Sequence, residues 1–416
     1  MRRLLPLVCV LTCAPAANAA PPWSPFEPVS GEHTFVDRPE VVYTAGGTAI
    51  ATWSFGDSGG SGGHQLAVRG PGAAEFGSER TLPRADTLLP PVPYGRNRFA
   101  IAFERRGRLS AAFGSATSGR IGRTQHVRSS RDMLRPSLAA NSGGVVALVW
   151  FENRGTSNDR VYISLRRAGE AFRRPVLLAT DRVRQTAVAV SAQGAVLVAW
   201  ETSGRIRVRA REGGARRFGR VQTLTSQPTF GAAPRAAFAP GGRAFIAWAG
   251  QSGTEEGPRG PVEVAVRGAG SSRFRAAQTL ELAGRHQGRL SLAIGRDGAA
   301  RVAWDSDGFI RTSAETGAAT FALPQVLGAG IDADVALATD GRAVVAWQSG
   351  DEERSLGVMA AYKPATGAFG APEQVSDRGE ARVPAVAFGP AGSTLLLSNR
   401  TTGAPPALAY AYDRAG

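Results

Sequence analysis

One motif recurs eight times along this chain, at intervals of roughly fifty residues. Each copy holds a short apolar strand, a Gly turn, and a second strand that ends on an aromatic. A third strand follows, then an aromatic that introduces a fourth. The second-strand anchors are Trp53, Phe103, Trp150, Trp200, Trp248, Trp304, Trp347 and, in the last copy, Ser398. Six residues before them stand Gly47, Asn97, Gly144, Gly194, Gly242, Gly298, Gly341 and Gly392. Gly and Asn best tolerate positive φ, so a tight turn joins the first two strands, a and b, in every copy. The b strands are apolar almost throughout, which places them in sheets covered on both faces. A unit of this size cannot bury two apolar faces alone and must stack on its neighbours. The pattern predicts an all-β chain, an eight-bladed β-propeller of four-stranded antiparallel blades.

The two ends complete each other. The last copy supplies strands a to c and stops after residues 407–412. Residues 23–30, ahead of the first full copy, read as a lone fourth strand, d. Pairing the two closes the ring and removes two exposed sheet edges. Elsewhere the d strands are read as beginning near Phe76, Ile121, Phe172, Phe218, Phe274, Phe321 and Phe369, and Phe26 takes this place at the N-terminus. Seven blades with a degenerate tail is the alternative, because Ser398 replaces the aromatic.

The chain opens with Arg2 and Arg3, an apolar stretch from Leu4 to Cys13, and small residues at Ala17 and Ala19. This reads as a secretory signal over residues 1–19, leaving one propeller domain over 20–416 in a secreted or extracytoplasmic, bacterial-type protein. No later stretch is apolar for long enough to span a membrane. Both cysteines, Cys9 and Cys13, fall in the signal, so no disulfide framework is expected. The net charge is +15. Lys363 is the only lysine, and the arginines are spread over all copies without a block. That dispersal reads as solvated charge from an Arg-rich composition and argues against a nucleic-acid partner. A monomer is expected.

In propeller topology the a–b and c–d turns share one face, and the b–c and d–a connections share the other. The a–b turns are uniform in sequence, whereas the b–c loops vary widely, so the second face is where binding groups belong. The residue after an anchor is often polar. Glu104, Glu201 and Asp305 are the candidate ligand-binding carboxylates, placed by ring symmetry around one mouth of the channel. They belong to alternate copies, which spaces them apart and suits ligand contact better than a two-carboxylate hydrolytic centre. The Asp- and Arg-rich d–a connections offer salt bridges between blades, or a grip on a carboxylate or sulfate. His33 and His286 fall on the same face. Asp305 and Asp307 share a stretch with the alternating oxygens of a calcium loop but lack its distal Glu, so a plain turn is the reading there. Gly56, Ser58 and Gly60 match a nucleophile-elbow pattern without the helix it needs. No metal and no cofactor is expected.

The Ala-Trp b strand and the Phe-led d strand resemble the sialidase-like, BNR-type repeats of secreted bacterial propellers. The resemblance implies a propeller fold and a glycan-related role. The Asp boxes of those proteins are absent, and Tyr43, Tyr94, Tyr162, Tyr362, Tyr410 and Tyr412 read as strand or turn-flanking residues, so it assigns no catalytic residue. The sequence therefore favours an exported, non-catalytic propeller that binds a glycan or protein partner through its b–c and d–a face. The alternative is a glycan-active hydrolase or lyase with carboxylates at the channel mouth.

Overall fold

The computed structural model describes residues 23–25, 27–56, 62–155, 158–225, 232–250, 259–286, 290–317, 319–350, 354–376, 381–390, 392–400 and 409–414. The chain is an all-β β-propeller, and its described strands fall into eight antiparallel sheets. The fourth sheet is representative. Its strands run Val183–Val190, Val196–Thr202, Arg205–Arg211 and Gln222–Thr223, each paired with the next. Strand a of each sheet lies against strand a of the next, and that of the eighth lies against the first.

The turns follow the sequence pattern. All seven repeat glycines before strand b take positive φ, from 79° at Gly194 to 89° at Gly341. Asn97 is the exception: the second sheet places its positive φ at Gly95 instead. That sheet also breaks strand a into Thr87–Leu88 and Val92–Tyr94. Pro90 and Pro91 lie at the break and have no N–H to give the ladder.

The core lies between the sheets. Trp200 packs with Val149, Phe151 and Ile163 of the third sheet, and Trp248 packs with Leu197, Ile206 and Val208 of the fourth. Each anchor thus fills the gap to the preceding sheet, which is why strand b is apolar on both faces. All six repeat tryptophans are at most 1% exposed. Ser398 is buried too, its Oγ donating to the Arg382 carbonyl at 3.0 Å.

The ends meet as the strand count requires. Glu27–Pro28 pairs antiparallel with Ala409–Arg414, Glu27 opposite Ala411 and Pro28 opposite Tyr410. The d-strand reading needs one correction. These strands begin four residues after the aromatic: Phe172 leads to Val176, Phe218 to Gln222 and Phe274 to Gln278. The reason is a turn, in which the residue after the aromatic donates its N–H to strand c, as Gly219 does to Ala210 at 2.8 Å. Counted this way, the N-terminal aromatic is Trp23, four residues before Glu27. Phe26 lies outside the described residues.

Candidate binding face

Strand b ends at the second face, where its last residues and the following turn determine what is presented. In the second, fourth and sixth sheets the b–c connection is a two-residue turn with positive φ at both central positions, Arg106–Gly107, Ser203–Gly204 and Asp307–Gly308. Glu104, Glu201 and Asp305 occupy the same place just before these turns. Glu104 accepts a hydrogen bond from Gly107 N, and Glu201 accepts one from Gly204 N at 2.9 Å. Glu201 and Asp305 are at most 1% exposed, whereas Glu104 is half-buried. The Asp305 carbonyl receives His286 Nδ1 at 2.8 Å. The three residues hold equivalent positions in their own hairpins. However, Glu201 folds over its own turn's N–H, and both Glu201 and Asp305 are buried in the sheet rather than offered at the mouth. Burial pushes the Glu201 carboxyl up, although the Gly204 N–H opposes this.

The acidic groups that sequence reading missed serve the tryptophans. An indole N–H buried between sheets needs an acceptor. Trp53 donates to Gln65 Oε1 at 2.8 Å, Trp248 to Glu263 Oε2 at 3.0 Å and Trp304 to Glu281 Oε2 at 2.7 Å. Gln65 and Glu263 stand directly across the b–c ladder from their tryptophans. In the fourth and sixth sheets an arginine stands there instead, and Arg207 and Arg311 pair with the carboxylates of Asp181 and Glu281. Burial pushes the Glu263 carboxyl up, opposed by its hydrogen bond from Trp248. Glu152, fully buried, takes Arg128 at 2.7 Å and Arg154 at 3.1 Å. Burial alone would raise its carboxyl, but these two guanidiniums hold it below the ordinary range.

The histidines expected on this face are there, but they are turned inward. His33 Nε2 lies 3.0 Å from Gln65 Oε1, and His286 Nε2 lies 2.9 Å from the Gly260 carbonyl. His64 stands across the ladder from Ser54, with its Nδ1 3.1 Å from Ser54 Oγ. Burial lowers the His64 pKa, while a hydrogen bond to the Ala85 carbonyl works the other way. The pair opens on a recess of about 280 Å³ that Asp37, Arg38 and Asp86 also line. The calcium-loop stretch is a hairpin turn, with Asp307 at φ 51°. Among the described residues no group of three or more His, Cys, Asp or Glu could hold a metal. Ser58 and its neighbours lie outside the described residues.

Two further recesses mark this side of the molecule. One, of about 360 Å³, lies in the channel against the a strands of the second to fifth sheets, with Arg135, Ser137, Gln185 and Arg235 among its polar walls. The other, of about 630 Å³, sits on the outer rim of the second sheet among Arg84, Arg105, Arg106 and Arg108.

No protein-family model matches the chain, and no curated protein matches it in sequence. Solved structures share its fold. A prolyl endopeptidase is 14% identical with a TM-score of 0.50, covering 90% of this chain and 54% of its own. The Dos1 propeller is 12% identical with a TM-score of 0.52, covering 85% of this chain and 97% of its own. The NanB sialidase from Streptococcus pneumoniae is 8% identical with a TM-score of 0.41, covering 94% and 71%. This chain spans about half the length of the prolyl endopeptidase. At these identities the likeness to the prolyl endopeptidase and the Dos1 propeller is one of fold alone.

Proposed function

We propose that this chain is an exported, non-catalytic β-propeller that binds a glycan or protein partner through its b–c and d–a face. Each of the eight sheets counts as one blade. The seven-bladed reading would treat the segment around Ser398 as a tail, although it contributes strand b of a four-stranded sheet. The observation that carries the binding reading is the contrast between the two faces. On one face, six a–b turns repeat one pair of hydrogen bonds, such as Ser191 N to Ala195 O and Gly194 N to Ser191 O, and a seventh shows the first of the pair, Ala338 N to Arg342 O. The other face carries three recesses, in the channel, beside Ser54 and His64, and among the rim arginines, against one of about 530 Å³ beside the a–b turns at Gly47 and Pro390. The hydrolase reading needs two free carboxyl groups facing one pocket. Glu201 and Asp305 are buried, which leaves Glu104 as the member of the trio retained for ligand contact.

A glycan array probed with the chain from Ala20 onward tests this, with a turnover assay on every hit. Binding that R135A/Q185A weakens, without product formation, is the expected result. Release of product, or binding that is lost only on changing the a–b turns, would overturn it. Intact-mass measurement of the exported protein should place its N-terminus near Ala20.

A further inference from the structure

We infer that the recess on the rim of the second sheet is an oxyanion site that takes the sulfate or carboxylate groups of an acidic polysaccharide. The inference rests on the binding-face reading above and names its ligand class.

The recess exists because the second sheet departs from the repeat at two facing positions. Phe103 stands where six sheets carry Trp, and Ser110 lies directly across the ladder from it. In the other sheets with Trp this place opposite the anchor holds a long side chain: Gln65, Tyr162, Arg207, Glu263, Arg311 or Met359. A smaller ring facing a smaller partner leaves space, and both residues line the recess. The same substitution removes the reason for an acid. Phe103 has no indole N–H, and no carboxylate stands among the lining residues. In the fourth and sixth sheets such a carboxylate also neutralises an arginine, Asp181 for Arg207 and Glu281 for Arg311.

The cations remain. Arg84, Arg105, Arg106 and Arg108 are all exposed around the recess, and none forms an ion pair among the described residues. Arg105 and Arg108 face each other across the ladder, a like-charge pairing that destabilises a sheet unless an anion sits between the two. Arg106 holds φ 51°, where Gly or Asn would be the unstrained choice. Two carboxylates sit at this turn, Asp86 accepting Arg106 N at 2.7 Å and Glu104 accepting Gly107 N; their charge leaves the four arginines in excess. Guanidinium groups match carboxylate and sulfate in a bidentate way. Phe103 is buried, and His126 is the one exposed ring of the lining, too little for stacking of successive bases, which favours polysaccharide over nucleic acid.

Binding of the full chain to a heparin-derived hexasaccharide, hexagalacturonate, a neutral hexasaccharide and a dT12 strand tests the site, at low and high salt. Saturable binding of one or both acidic sugars is expected, weakening with salt. R105Q/R108Q should reduce it by roughly tenfold or more. R216Q/R217Q, which removes the same charge from the opposite face, should leave it within about twofold. The arm that binds, sulfate or carboxylate, identifies the group. Without ligand, R105Q/R108Q should melt no lower than the parent, because a repulsive pair has been removed; a lower melt would mean a structural role. Equal loss in both double variants, tighter binding of dT12, or no saturable binding of either acidic sugar would overturn the site. If R105Q/R108Q kept every hit of the glycan array while R135A/Q185A lost them, this inference would fail and the proposed function would stand.

Discussion

Trp200 measures what one position of the repeat contributes. Its side chain has no exposure, fills the gap to the third sheet, and directs its N–H to Asp181 at 3.4 Å. Trp200→Ala removes that volume, while Asp181 keeps Thr202 and Arg207 as partners, so it should destabilise by roughly 3–5 kcal/mol through the cavity, read by denaturant unfolding. Glu201, its neighbour, gives the opposite sign. Burial raises its folded pKa above the ordinary 4.5, so the folded chain holds this proton more tightly than the unfolded chain does. The stability this represents is present below that ordinary value and is lost as pH rises through the raised one. At neutral pH the carboxylate is carried at a cost. Glu201→Gln keeps an acceptor for Gly204 N and drops the charge, so it should raise Tm at pH 7. The gain should shrink as pH falls toward 4.5. Equal gains at both pH values would show that the carboxyl's ionisation is not the cause.

Between elements, the arginines do much of the joining. The end of strand c carries Arg69, Arg211, Arg267 and Arg414 in the first, fourth, fifth and eighth sheets. Each lies over the ring that introduces strand d: Phe76, Phe218, Phe274 and Trp23. These four arginines have a packing role that the reading of arginine as plain solvated charge did not give them. Arg267 is 2% exposed, 2.7 Å from Glu212, and lies over both Phe238 and Phe274. A flat guanidinium can stack and pair at once, whereas an ammonium cannot. Arg267→Lys should therefore cost about 1–2 kcal/mol although the charge is unchanged. A thermal melt identical to the parent would reduce the arginine to its charge alone. The d strands add a second clasp: Gln222 both donates to Phe274 O and accepts from Phe274 N, and Gln278 does the same with Phe321.

At the scale of the molecule, the ring closes with the same devices. Glu27 takes the place of Gln222 and Gln278 and accepts Phe76 N at 2.9 Å, while Trp23 lies under Arg414. Deleting residues 23–30 would expose the edge of strand c, remove Val29 from the core and leave Arg414 without that ring. Tm should fall by on the order of 5–10 °C. A deletion variant that melts like the parent would refute the closure. The sequence by itself determined the repeat, its turns, the burial of the tryptophans and the pairing of the two ends, because strand periodicity, positive-φ glycines and a missing strand are all written locally. Only the tertiary structure decided where the carboxylates point. Whether Glu201 faces a ligand or its own turn depends on the fold of one hairpin, while Glu263 meets its indole across a ladder and Asp181 and Glu281 meet theirs from the neighbouring sheet. The rim recess was legible only in part: Phe103 stood out as a departure from Trp. Its meaning needed Ser110 opposite and four arginines in excess of the nearby acids, a juxtaposition that only strand pairing and sheet stacking create.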